Sequence, residues 1–214
     1  MSTMKQNEEL WLNIASSHCT LPGFVNVDNG VFFRLATFEP LFTLAGSRYA
    51  ETLRRFKDAK SKHRVRYADC RKRLPFSTGS VHHILCSHFL EHVYPDEAAA
   101  ILREFRRVMH DDATLHVVVP DMKQLAQRYL ASEADPKACS DFVEESLLSR
   151  PARPSWIYRA LELTGLFGLQ HLWMYDEASV RALIADCGFQ HIDKAQSRSA
   201  DFEREGIHVV SVKS

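Results

Sequence analysis

The feature that most constrains this chain is a repeated change of hydrophobic period. Short runs rich in β-branched and aromatic residues fall at 11–15, 24–28, 65–69, 81–86, 114–119, 190–194 and 207–212. Between them, residues 48–60, 95–109, 121–131 and 176–187 carry apolar side chains at helical spacing. Strand and helix in alternation predict an α/β fold: a doubly wound, mostly parallel, seven-stranded sheet with helices on its faces. The last helix carries its own boundaries, with Asp176 placed as N-cap and Gly188 just past Cys187. Residues 132–170 interrupt the alternation, with SRPARP at 149–154 reading as a loop and IYRALELTGLFG behind it as an apolar helix. The chain reads as one domain over 1–214, with 132–170 a helical insertion or lid before the sixth strand.

A chain of 214 residues, 45% of them apolar, is long enough to bury one substantial core. Its 27 basic residues match its 27 acidic ones, so no global field draws it to nucleic acid or a membrane. Basic residues concentrate between Arg48 and Arg73, but without the interleaved aromatics that stack on bases. Cys19, Cys70, Cys86, Cys139 and Cys187 have no CxxC spacing, which points to a reducing cytoplasm rather than a disulfide framework. The polar start MSTMKQNEEL does not read as a secretory signal, and no apolar run reaches membrane-spanning length. The phenylalanine-rich stretch 31–46, VFFRLATFEPLFTLAG, is expected to pack on the core, with a substrate flap or membrane contact as the alternative.

The informative centre is RLPFSTGSVHHILCSHFLEHV at 73–93, followed by PDEAAAILREFRRVM and DDATLHVVVPD. Collinear with it are LNIASSHCTLPGFVNVD and YADCRKRLPF upstream and HLWMYDEASVRALIADCGF downstream. This order and spacing resembles the S-adenosylmethionine (SAM)-dependent methyltransferases of the Rossmann-like class, in particular the type-11-like branch associated with glycan and natural-product biosynthesis. The resemblance implies SAM as cofactor and a cofactor site at the carboxyl ends of the strands. Asp28, closing VNVD, is then placed to accept from the ribose hydroxyls, and Asp69, in YADC beside Cys70, from the adenine amino group. Ser87, at the end of the fourth strand, belongs to the same expected set. The first turn departs from the family: Ala15, Ser16 and Ser17 stand where it usually carries glycines, which give close approach to the ligand and positive φ. These small side chains keep most of that space, so weakened binding is expected. The link from Ala15 to Phe24 is too short for a crossover helix, as it is in the resembling branch.

Methyl transfer to a hydroxyl is an in-line displacement that needs an aligned nucleophile and a base. His88, Glu91 and His92 stand at i, i+3 and i+4 and are expected on one face of a short helix after the fourth strand. His88 is the leading base; His92 is either catalytic or a core histidine orienting the turn. His171 in HLWMYD is the candidate to close over the substrate. A divalent metal on the His88, Glu91, His92 face, completed by His171 or water, is the lesser alternative. Small-RNA ribose methyltransferases resemble that arrangement, but usually with glutamate where this chain has His88. His82 and His83 replace the aspartate common in related sequences and receive no catalytic role. The expected function is methyl transfer to a hydroxyl of a sugar or other polar small molecule or glycan. The alternative is a non-catalytic member acting as a binding or scaffolding subunit.

Overall fold

A computed structural model describes residues 9–44, 50–132, 134–149, 170–192 and 205–213. Seven strands form one sheet: β1 (Trp11–Ile14), β2 (Val25–Asp28), β3 (Val65–Tyr67), β4 (Val81–Ser87), β5 (Met109–Val119), β6 (Phe189–Ile192) and β7 (Ile207–Lys213), in the spatial order β3-β2-β1-β4-β5-β7-β6. Each expected strand is present. The expectation of a mostly parallel sheet is corrected: the sheet is mixed, because β7 runs antiparallel to both β5 and β6. The alternation of apolar residues in IHVVSVK specifies a pleat and not a direction, so the sequence could not distinguish the two.

β1 and β2 are parallel neighbours, with Ile14 opposite Val27, although residues 15–24 contain only turns. Side chains carry that short link. Asn26 sits fully buried, its amide oxygen accepting from Asn13 Nδ2 at 2.9 Å and from the Leu21 N–H at 2.8 Å.

The helices are α1 (Val31–Leu35), α2 (Glu39–Leu44), α3 (Ala50–Lys62), α4 (Pro95–Val108), α5 (Met122–Ala131), α6 (Ala138–Ser146) and α7 (Glu177–Asp186), with 3₁₀ turns at Ala36–Phe38 and Leu90–His92. In α4, Ala98, Ile101, Leu102, Phe105 and Val108 are all buried at helical spacing against the sheet. Truncating Phe105 alone would cost about 3–5 kcal/mol in such a site. Asp121 caps α5 by accepting from the Lys123 and Gln124 N–H groups, and Asp176 caps α7 through Ser179. Gly188 follows α7 at φ +84, the left-handed conformation that ends a helix.

Core packing is only half true of the stretch 31–46. Phe33 and Ala36 join Phe56 and Ala59 of α3 in a second apolar cluster, while Phe38, Leu41 and Leu44 face outward. Part of the basic excess between 48 and 73 is paired within the chain: Arg54 and Arg55 with Glu51, Lys57 with Glu39, Arg71 with Asp69. Within the expected insertion, α6 lies among the described residues. The apolar helix expected over IYRALELTGLFG and most of SRPARP lie outside them.

Candidate active site

The expected cofactor residues converge at the carboxyl ends of β1, β2 and β3. After β1 the chain turns sharply, and the two positions that lack glycine adopt the glycine conformation: Ala15 has φ +51 and Ser17 φ +48. The turn therefore keeps its backbone course and carries left-handed strain in its place. Buried Ser16 donates its N–H to Val27 O at 3.2 Å, and Ser17 donates its N–H to Asp28 Oδ2 at 2.8 Å.

Asp28 also accepts from the Gly30 N–H through its other oxygen. Burial raises the Asp28 carboxyl above its ordinary range, and the backbone donors Gly30, Ser17 and Asn29 pull it partway back. Asp69 follows β3, but both its oxygens are taken up by Arg71, with Nε at 3.0 Å from Oδ1 and Nη2 at 3.1 Å from Oδ2. Burial would raise this carboxyl; Arg71 outweighs it and holds it below the usual range. Cys70 is buried between the two aspartates and the Ala15 turn, its thiol pushed up to about 12 by burial and by Asp28 and Asp69. Cys70 is thus a neutral thiol that shapes the floor of this corner. Ser87 is buried at the end of β4.

The acceptor side departs from the expected helical face. The helix after β4 is a single 3₁₀ turn, Leu90–His92, and His88 precedes it at φ +52 with its N–H donating to Val118 O at 2.8 Å. His88 and Glu91 still meet, Nδ1 to Oε1 at 3.3 Å, and His171 Nε2 lies 3.9 Å from the same oxygen. His88 Nε2 donates to Glu205 O at 2.9 Å. His92 Nδ1 donates to Gln170 O at 2.9 Å, and its ring lies edge-on to that of His171, 5.0 Å between centroids. Burial lowers the His171 ring below its ordinary value, partly offset by Glu91.

Two backbone bonds lock the distant HLWMYD segment beneath this turn, because Leu172 and Trp173 both donate to Glu91 O, at 2.7 and 3.1 Å. His83, left without a role by the sequence, is a core residue: Nδ1 is 2.6 Å from Thr114 Oγ1, and burial drives the ring down to about 4.

Beyond the ends of β4 and β5 opens a cleft of about 420 Å³. His88 and His171 line it, together with Asp121, Gln124, Arg128 and Glu145. Arg128 and Glu145 form an ion pair that ties α5 to α6. Glu205 and Gly206 complete the rim. Of the three candidate catalytic histidines, the cleft thus brings together two and leaves His92 behind them. Sequence reasoning missed Gln124, Arg128, Glu145 and Glu205, which come from separate segments with no shared pattern. Asp121 entered the sequence reading only as the first residue of the helix expected over 121–131.

Residues 34–117 match the sequence family described as Methyltransferase domain. No curated protein matches the chain. Among solved structures, a SAM-dependent methyltransferase from Methanosarcina mazei aligns with a TM-score of 0.55 at 16% identity, over 97% of this chain and 93% of that one. A structure from the complex of the Haloferax volcanii Trm112 methyltransferase activator with its methyltransferase aligns with a TM-score of 0.52 at 10% identity, over 96% and 82%. Magnesium protoporphyrin IX methyltransferase from Synechocystis PCC 6803, with bound S-adenosylhomocysteine, aligns with a TM-score of 0.50 at 12% identity, over 96% and 74%. These likenesses establish a shared fold, and the domain match joined to that fold supports a SAM-dependent methyltransferase.

Proposed function

We propose that, as a SAM-dependent methyltransferase, this protein transfers a methyl group to a hydroxyl of a sugar or other polar small molecule, in the manner of glycan- or natural-product-modifying enzymes. The observation that carries the reading is the cleft beyond β4 and β5. Its volume of about 420 Å³ suits a small ligand, and its wall carries Asp121, Gln124, Arg128 and Glu145, donors and acceptors matched to a hydroxylated molecule. No helix among the described residues is long and apolar enough to cross a membrane. The five cysteines are free, in keeping with the cytoplasmic location we propose.

Bound SAM supplies an electrophilic methyl on a sulfonium. In this reading the Ala15–Ser17 turn takes the amino-acid tail, Asp28 the ribose, and the Asp69–Cys70 corner, with Ser87, the remainder. The acceptor oxygen gains the O–CH₃ bond as the S–CH₃ bond breaks, and the hydroxyl proton passes to His88. Nε2 of His88 is the atom that would receive it, once the ring has released the Glu205 carbonyl and carries its own proton on Nδ1, facing Glu91, instead of on Nε2. The Glu91 carboxylate, 3.3 Å from Nδ1, would stabilise the positive charge that the ring gains. His171 walls the cleft, and His92 fixes the turn through Gln170. The retained left-handed turn argues against the scaffold alternative, since a binding-only subunit has no need to keep that strain.

Calorimetric titration with SAM and with S-adenosylhomocysteine, followed by a sugar-acceptor screen on the parent and on His88→Ala, tests this. Expected are micromolar cofactor binding in both proteins and turnover lowered about 10²–10⁴-fold in the variant. A folded parent that binds neither ligand would remove the methyltransferase reading, and full turnover in His88→Ala would remove the base.

A further inference from the structure

Beneath the cleft is a polar group whose bonding capacity the fold leaves unmet. Glu91 is fully buried, 0% exposed, yet neither carboxylate oxygen has a hydrogen-bond partner among the described residues. His88 and His171 approach Oε1 at 3.3 and 3.9 Å, ion-pair distances without hydrogen-bond geometry. His171 is 7% exposed, and its Nδ1 has no partner either. A buried carboxylate left in this state is costly, and the usual remedies are a cation or a bound water.

The neighbouring histidine points to the cation. His92 spends Nδ1 on the Gln170 carbonyl, which can only accept. Its proton is therefore on Nδ1 and its lone pair on Nε2, the state a metal-ligating imidazole needs, with the orienting carbonyl such ligands carry. One donor atom each from Glu91, His92 and His171 lies within 4.8 Å of the other two. A tetrahedral ion with bonds of about 2.0–2.1 Å separates its ligands by about 3.4 Å. Donor atoms within 4.8 Å therefore have to close by at most about 1.4 Å to hold such an ion. Of the expected set His88, Glu91 and His92, completed by His171 or water, the cluster keeps Glu91, His92 and His171 and leaves out His88.

We infer that Glu91, His92 and His171 form a site for a divalent transition ion of the zinc class, with the fourth position left for water or the acceptor oxygen. Two imidazoles and one carboxylate suit zinc and its first-row neighbours, whereas magnesium takes oxygen donors and keeps its water. The site stands on its own geometry; only its role rests on the methyl-transfer reading. Because His171 also lines the cleft, an ion there would polarise the acceptor hydroxyl whose proton His88 receives.

The test uses the full chain without an affinity tag, stripped by chelator and titrated with Co²⁺ and then Zn²⁺. Expected are one equivalent of ion bound at micromolar affinity or tighter, the intense visible absorption of four-coordinate cobalt, and its loss as zinc displaces it. His92→Ala and Glu91→Gln should each weaken uptake at least tenfold. Glu91→Gln, which keeps the volume and removes the unpaired charge, should melt no lower than the stripped parent, so a folding failure is separable from lost ligation. Absence of ion uptake, or uptake unchanged in Glu91→Gln, would overturn the site and leave water as the occupant. SAM titration of the same stripped samples separates the two readings. Cofactor binding without ion uptake refutes only the metal, and ion uptake without cofactor binding refutes only the methyltransferase.

Discussion

Replacing the residues of the first turn by glycine one at a time should give stability changes of alternating sign. Ala15 and Ser17 sit at φ +51 and +48, where an L residue costs about 1–2 kcal/mol relative to glycine. Glycine returns about 0.4–1 kcal/mol of that through its freer unfolded chain. Ala15→Gly and Ser17→Gly are therefore each expected to stabilise by about 0.5–1 kcal/mol, seen as a melting temperature about 1–4 °C higher for a chain of this size. Ser16 is not among the positive-φ residues, so Ser16→Gly has no strain to relieve and should destabilise by about 0.5–1 kcal/mol. The Ser17 N–H bond to Asp28 is made by backbone and survives Ser17→Gly, so SAM affinity in that variant should stay within about threefold of the parent, well under 1 kcal/mol. Urea midpoints at fixed pH read the three signs, and calorimetry reads the affinity. If Ala15→Gly and Ser17→Gly both destabilise like Ser16→Gly, the turn is not left-handed in solution and the argument that it replaces a glycine turn is wrong.

His83 makes folding depend on pH. Burial holds its ring at about 4 against an ordinary 6.5, so between those values the unfolded chain takes up a proton that the folded one refuses. Stability should fall as pH drops from 6.5 toward 4, by about 3 kcal/mol in all, and level off below. His83→Gln should flatten that slope in urea melts at pH 7 and 5, and parallel slopes would refute the assignment. A Cβ on Gly30 would lie 2.7 Å from Asp28 Oδ1, so Gly30→Ala should dislodge that carboxylate and weaken SAM binding more than it lowers the melting temperature. Equal SAM affinity would show that Asp28 does not hold the cofactor. Gly206 has φ +131, and a Cβ there would stand 2.4 Å from Val119 O, so Gly206→Ala should cost about 2 kcal/mol or more in a urea melt. A smaller loss would mean that the entry to β7 yields easily.

What the sequence revealed follows from the range over which each signal acts. Strand and helix identities rest on local period, and all seven strands and the cap Asp176 were legible for that reason. The direction of β7 was not, because alternation is unchanged when a strand is reversed. Asp28 and Asp69 were found by their places after strands, but not their bonding. Arg71, two residues past Asp69, consumes both of its oxygens, a contact that only the turn geometry decides. The single helical face expected for His88, Glu91 and His92 fails because β4 pairing continues through the His88 N–H to Val118 O, leaving room for only a 3₁₀ turn. Arg128, Glu145 and Glu205 reach the cleft from three distant segments, and no spacing rule connects them.

The placement of β7 between β5 and β6 orders events during synthesis. β6 is made first but has no sheet neighbour except β7, so it stays undocked until residues 207–213 arrive. The corner that gathers Ala15, Ser17, Asp28 and Cys70 rests on strand pairings among β1, β2 and β4, all synthesised before β7. Glu205 and Gly206, which close the rim over His88, enter with β7. A nascent chain therefore acquires the corner we propose for the methyl donor well before it has the cleft we propose for the acceptor. On that proposal, stalled or shortened chains should hold the donor but be unable to spend it.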